Sequence, residues 1–460
     1  MWSRRAPAGR HRTTVSHGAT NDPGRRTPAR REPDAASTSI VPSRCTVKRR
    51  TPWGPSWKAV RRAASSPSAH ASEPSATRSG HESGNSDATA TVAAAATAVN
   101  ATAARLYWSS IRTVSFFMTS WLSFLASRGA HTGAAGVAHF GDPRAELAAA
   151  RDGTIVADIS HNALVAISGD DARAFLHGQF TNDVEALERG AAQWNGWCSA
   201  KGRLLATFLL VRHGSEYLLM LPAGIAPAFT KRLSMFVLRS RVKIADAGER
   251  FVRIGFAGER AAAAVARHWG RTPGPMTSVE SELGLVVALD ERRFVVLATP
   301  ERAPDVWNLL AGDATPAGAE AWDWLAMQAG IPTIVAATQD AFVPQMANFD
   351  LVGGVSFRKG CYPGQEIVAR MQYRGILKRR MAMGHVDAPR PPMPGDSVYS
   401  ASFGEQAAGT VVQATRSPEG GYDLQVVAQV ESLAARDLAL GAPGGPPIEV
   451  RDFPALATAS

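Results

Sequence analysis

From about residue 140 onward the chain is a succession of short β-rich runs ended by turn residues, with few helical stretches between them. This alternation restricts it to an α+β fold. Gly153–Asp158 and Asn162–Gly169 read as strands, and Asp170 suits the N-cap of a helix running through Ala174 and Phe175 to an end near Gly178. Strands follow at Ala191–Ser199 and Arg203–Arg212 about the turn Ala200-Lys201-Gly202, then a strand at Tyr217–Leu221 and a helix from Ala226 to Leu238. A second αβ stretch runs from Phe251 to about Leu310, with an Ala-rich helix near Glu259–His268. After Arg380 only strands remain, at Met381–Val386, Ser397–Ser400, Ala408–Val412 and Tyr422–Val427. Pro- and Gly-rich turns separate them, the pattern of a small antiparallel barrel.

The first 117 residues are of another kind. Arg, Ala, Ser, Thr, Pro and Gly dominate, large apolar residues are few, and no period of 2 or 3.6 is sustained, so the segment is expected to be disordered. It holds 18 of the 50 Lys and Arg and 6 of the 40 Asp and Glu, which makes it +12 and the remaining chain −2. The sequence pI of 9.9 therefore belongs to the extension, and no direct nucleic-acid partner is expected for the folded part. Three readings of the extension stand: a transit peptide, a nucleic-acid-binding arm, or translated upstream sequence before a start at Met118, the last being favoured. The expected organisation is 1–117 extension, 118–378 main body and 379–455 C-terminal barrel.

Several function classes are set aside. The apolar run Val114–Leu125 is 12 residues long, short of the roughly 20 a membrane span needs, so no membrane role is expected. Cys45, Cys198 and Cys361 are isolated thiols, not a disulfide framework, which fits a reducing cytoplasm; the mitochondrial matrix is the alternative if the extension is a transit peptide. No metal site is expected, since the histidines lack H-x-x-x-H or H-E-x-x-H spacing. G-x-S-x-G is missing, and no G-x-G-x-x-G opens a strand-turn-helix unit.

The most informative stretch is Phe357–Gly375. Pro363-Gly364 suits the centre of a type II turn, Glu366 sits in the first turn of a helix, Arg370 and Arg374 follow at four and eight residues on one face, and Gly375 ends it. Cys361 thus precedes a helix N-terminus, two residues from Lys359. Such an environment can favour a thiolate nucleophile or soft-metal ligand, although an isolated cysteine is also commonly a small buried apolar residue. Glu366 and Arg370 read equally as a helix-surface pair.

Lys359-Gly360-Cys361-Tyr362-Pro363-Gly364-Gln365-Glu366 resembles the K-G-C-[FY]-x-G-Q-E signature of the YgfZ family of folate-binding proteins, relatives of the glycine-cleavage T-protein. Phe175–Val184 is similar to the family's F-L-x-G-Q-x-T-x-D-V element, and Gly330-Ile331-Pro332 and Phe342–Phe357 are similar to its flanks. The resemblance covers about residues 118 to 450. It implies a ring of two α+β subdomains around a central hole, closed by the C-terminal barrel, with tetrahydrofolate or a one-carbon-substituted form in the hole. It also implies a role in assembly or maintenance of iron-sulfur enzymes, including tRNA-modifying ones, with iron-sulfur clients or assembly factors as partners. Cys361 would be the functional thiol beside Lys359. Asn182 and Asp183 would meet the pterin edge, Trp197, Gln345, Tyr373 and Glu366 would be further folate-site residues, and Arg370, Arg374 and Lys359 would meet the carboxylates of the glutamate tail. In T-proteins the corresponding strand opens G-G-x-x-D-D, whereas here it reads Lys201-Gly202-Arg203-Leu204-Leu205-Ala206, with no Asp or Glu between Glu188 and Glu216. An acid positioned at the folate nitrogen is what aminomethyl transfer needs. Aminomethyltransferase turnover is therefore not expected, and a folate-dependent one-carbon transferase remains the alternative.

Overall fold

The computed structural model describes residues 120–133 and 136–453, so the expectations for residues 1–117 and for Cys45 lie outside the described residues. Three large sheets and a two-stranded ribbon, His131–Gly133 with Gly136–His139, are formed by the described residues. The first runs, edge to edge, Ser278–Ser281, Gly284–Ala288, Arg293–Ala298, Val252–Gly258, Thr154–Asp158 and Thr315–Ala317, antiparallel except for the last pair. The second runs Ala192–Cys198, Leu204–His213, Glu216–Pro222, Asn162–Ser168 and Lys243–Asp246, antiparallel throughout.

Both sheets are covered on both faces, which is why their strands read as continuous apolar runs. Alternate residues divide between two cores. Phe294 and Val296 face helices Ala261–Trp269 and Ala303–Ala311, whereas Val295 and Leu297 join Leu209, Val211 and Leu218 of the second sheet in one shared core. Helix Ala319–Gln328 enters that core with Trp322, Trp324 and Met327. Gly255 makes room for it: a Cβ there would lie 2.4 Å from the Trp322 ring. The apolar run that is too short for a membrane is core on its described side. Residues 120–127 are helical and bury Trp121 and Leu125, with the Trp121 indole donating to Asp158 at 3.1 Å. No helix among the described residues is long and apolar enough to cross a membrane.

The third sheet is ordered Leu438–Leu440, Ser397–Ser400, Gly404–Arg416, Tyr422–Gln429, Arg379–Val386 and Glu449–Arg451. It is a curled antiparallel half-barrel. Its seam is bridged where the Leu440 and Ile448 amides donate to Pro446 and Leu438 carbonyls at 2.9 and 2.8 Å. Buried Asp423 ties it to the main body by accepting from the Trp324 indole at 2.8 Å.

Local departures from the sequence reading have local causes. The helix expected at Asp170 spans Ala172–Gln179 with Asp171 as N-cap, because the Asp171 carboxylate accepts from the Arg241 amide at 2.7 Å and not from the helix. The helix expected to reach Leu238 ends at Ser234, and Leu238 takes a left-handed φ of 46°. Arg374, expected on the helix with Arg370, is instead the C-cap of helix Gln365–Tyr373, with φ −139°.

Candidate functional site

Two features of the described residues bear on the expected chemistry: a mounted cysteine loop and a cavity bordering the shared core.

The loop is built on two glycine turns packed back to back. Tyr362–Gln365 is a type II turn, with Gly364 at φ 78°, ψ 2° and the Gln365 amide donating to the Tyr362 carbonyl at 3.2 Å. Against it lies the hairpin turn Ser199–Gly202, with Gly202 at φ 68°. A Cβ on Gly364 would meet the Ser199 carbonyl oxygen at 2.4 Å, and one on Gly202 would meet the Gly364 oxygen at 2.9 Å. Lys359 clamps the loop from beneath. Its buried ammonium donates to the carbonyls of His177 and Phe180, the latter at 2.6 Å, and stands 5.0 Å from the Tyr362 ring centroid. Burial pulls this amine down to about 8, against the upward pull of Asp183, Glu185 and Cys361. Cys361 itself is exposed. Cys198 is buried, and burial pushes its thiol well above the ordinary range, so it is the inert one of the two described cysteines.

His177 is a neighbour that the sequence reading missed. Its Nδ1 lies 3.2 Å from the Asp183 carboxylate, and its Nε2 would be 3.6 Å from a Cβ on Gly360, next to Cys361 in the chain. It occupies the free position of the F-L-x-G-Q element, so the motif gave no signal for it.

The cavity, of about 270 Å³, lies where the two main sheets, helix Ala319–Gln328 and the half-barrel meet. Trp194, Met220 and Trp322 supply apolar walls, with Asn162, His161, Asp323 and Arg293 among the polar groups. His161 Nε2 lies 3.0 Å from the Asp323 carboxylate and 3.0 Å from the Asn162 amide nitrogen, while its Nδ1 is buried without a partner among the described residues. Burial pulls the imidazole pKa down, but the charge of Asp323 and its hydrogen bond outweigh this, and the net shift is upward. The Gly330-Ile331-Pro332 segment edges the cavity, held by Thr207 donating to the Pro332 carbonyl at 2.7 Å and Gln413 donating to the Ile331 carbonyl at 2.9 Å.

None of the folate-contact residues expected from sequence lines this cavity. Asn182 ties strand Ala192–Cys198 to the Gly353 turn by donating to the Trp194 and Gly353 carbonyls at 3.0 and 2.7 Å. Asp183 accepts from the Ala186 amide at 3.0 Å beside His177. Trp197 is buried against Phe229, with ring centroids 5.1 Å apart. Gln345 is buried and donates to the Val368 carbonyl at 2.8 Å. Glu366, Arg370 and Tyr373 are exposed on the helix after Cys361. A carboxylate the sequence reading did not name, Asp323, reaches the cavity from helix Ala319–Gln328, flanked in sequence by Trp322 and Trp324. Among the described residues no group of three His, Cys, Asp or Glu is placed to hold a metal ion.

Residues 125–273 match the family model of the GCVT N-terminal domain. The chain is 32% identical over 292 residues to the tRNA-modifying protein YgfZ of Cronobacter sakazakii, covering 62% of this chain and 88% of that protein. It is 33% identical over 238 residues to the protein of the same name from Photobacterium profundum, covering 51% and 71%. The fold is similar to that of the glycine cleavage system aminomethyltransferase T from Bartonella henselae, with a TM-score of 0.59 at 19% identity, over 71% of this chain and 96% of that one.

Proposed function

This chain belongs to the YgfZ family, and from that premise we propose that it binds tetrahydrofolate, or a one-carbon-substituted form, in the shared-core cavity. It presents Cys361 to iron-sulfur enzymes or their assembly factors in the cytoplasm, tRNA-modifying enzymes among them. The observation that carries the reading is the cavity's chemistry. Two indoles and a methionine suit a flat heterocycle, and the orphaned His161 Nδ1 is a buried polar atom that a ring-edge group would satisfy. At about 270 Å³ the cavity sits just under the ~300–1,000 Å³ of pockets for larger ligands, so it suits the pterin head, leaving the glutamate tail to the rim.

When bound, tetrahydrofolate supplies a ring nitrogen able to carry a one-carbon unit. The protein's own residues do the rest. Trp194, Trp322 and Met220 exclude water, Asn162 and His161 address the ring edge, and Asp323 holds the imidazole in place and favours its protonated form. The thiol is a separate station. Cys361 stands exposed on its double-turn mount, two residues from buried Lys359. One thiolate does not hold an iron-sulfur cluster, which commonly takes four, so the remaining ligands would come from the partner.

A one-carbon transferase is the second reading, favoured by one observation: Asp323 is a carboxylate at the cavity. The test is rescue of iron-sulfur enzyme activity in a strain lacking its own family member, with tetrahydrofolate titrated calorimetrically into each purified protein. Cys361→Ala should bind folate as wild type does and fail to rescue. Rescue by Cys361→Ala would remove the thiol from the account, and rescue lost only with Asp323→Asn would favour transfer chemistry.

A further inference from the structure

Helix Gln365–Tyr373, which begins four residues after Cys361, buries only Val368 among its nine residues. A helix packed on a globular body ordinarily hides a stripe of three or four residues per two turns. Here Ile367 is 38% exposed, Tyr373 70%, and Ile376, just past the helix end, 86%. Single exposed apolar side chains are ordinary, but three within ten residues beside an exposed thiol form a patch.

Charge marks the same segment. Arg358–Arg380 holds seven Lys and Arg and one acid, Glu366, in a chain that from residue 118 onward is −2 overall. Lys359 is turned inward under the loop, and Arg380 pairs with Asp350 at 3.1 Å. Arg358, Arg370, Arg374 and Lys378 are exposed, and among the described residues none has a carboxylate within ion-pair distance. The Phe357 and Tyr373 rings, 6.4 Å apart edge to face, join the bend at Arg358 to the far end of the helix.

We propose that Arg370, Arg374 and Lys378, with Ile367, Tyr373 and Ile376, form a docking face for a protein partner whose contact surface is acidic around an apolar centre, and that docking brings the partner's reactive group to Cys361. The inference rests on the thiol-presenting reading above and gives its partner a chemistry. Protein interfaces concentrate aromatic and Arg side chains in a desolvated centre with charges around it, the composition found here. RNA phosphates would satisfy the cations but leave Ile367 and Ile376 in water. A second copy meeting this one symmetrically would set like charges against each other.

The experiment places a photo-crosslinking benzoylphenylalanine at Ile376 of the full-length chain, in a strain lacking its own family member, with Arg370→Glu/Arg374→Glu/Lys378→Glu and Ile376→Ser as companions. Charge reversal should lower rescue by about tenfold or more while leaving tetrahydrofolate affinity and Cys361 alkylation by iodoacetamide at wild-type levels. The adduct should be nuclease-resistant, map by mass spectrometry to an acid-rich surface segment of an identified protein, and vanish on charge reversal. Wild-type rescue by both the charge-reversal and Ile376→Ser variants, an adduct removed by ribonuclease, or no protein adduct at all would overturn it. Failure of the underlying reading shows separately, as rescue by Cys361→Ala or absence of folate binding.

Discussion

Replacing Gly364 with Ala tests whether the cysteine loop owes its shape to the turn beneath it. Two costs add. A non-glycine residue at φ 78° costs about 1–2 kcal/mol. The new methyl must also push apart two turns, since it would lie 2.4 Å from the Ser199 carbonyl oxygen and 2.5 Å from the Gly202 Cα. Overpacking of this kind costs about 1–3 kcal/mol more. Gly270→Ala is the matched control: its φ is 79°, but its Cβ would meet nothing within 4 Å, so it carries the first cost alone. Urea unfolding should give about 2–5 kcal/mol for Gly364→Ala and about 1–2 kcal/mol for Gly270→Ala. The alkylation rate of Cys361 should change only in the former. Equal losses in the two variants would refute the reasoning, because backbone conformation alone would then explain the glycine.

Lys359→Met leaves the His177 and Phe180 carbonyls without their donor and should cost about 1–3 kcal/mol near neutral pH. The folded amine releases its proton near 8 and the unfolded one near 10.5, so the unfolded state binds more protons between them. Wild-type stability should rise relative to the variant across that window, and a flat difference in pH-dependent unfolding would contradict the burial. Asp323→Asn removes the group that outweighs burial at His161, so the imidazole, observed by NMR, should titrate at lower pH; an unmoved titration would mean that the pair is not coupled. Because the folded His161 pKa is raised above 6.5, its contribution to stability is fully present below that value and lost as pH rises through the folded one. The stability gap to Asp323→Asn should therefore narrow with rising pH.

The architecture was legible where local chemistry is strong. The type II turn at Pro363-Gly364, the hairpin turn at Gly202 and the strands of the C-terminal region could be read because glycine, proline and β-branched alternation act over a few residues, whereas the short helix Val430–Ala435 between those strands was not. Helix ends were less so: Asp170 against Asp171, and Leu238 against Ser234, turned on tertiary hydrogen bonds and a left-handed residue that no local pattern announces. The cavity was not legible. Its walls come from Trp194, Met220, Arg293 and Trp322, far apart in sequence, and each alone reads as ordinary core. Sheet alternation and loop closure place Trp197 and Gln345 outside this cavity, against Phe229 and Val368. Asp323 lies on a helix more than a hundred residues after Gly202, so nothing in the strand that follows Gly202 points to it.

The central claim is that the folate site and the thiol are separate, and calorimetric titration of tetrahydrofolate into the wild type, Trp194→Ala, Trp322→Ala and Cys361→Ala tests it most directly. The account predicts a loss of about 5- to 150-fold for each tryptophan variant, from about 1–3 kcal/mol of lost ring contact, and wild-type affinity for Cys361→Ala. The contradicting result is the reverse pattern, with both tryptophan variants binding as wild type and Cys361→Ala losing affinity, which would move the folate to the cysteine loop.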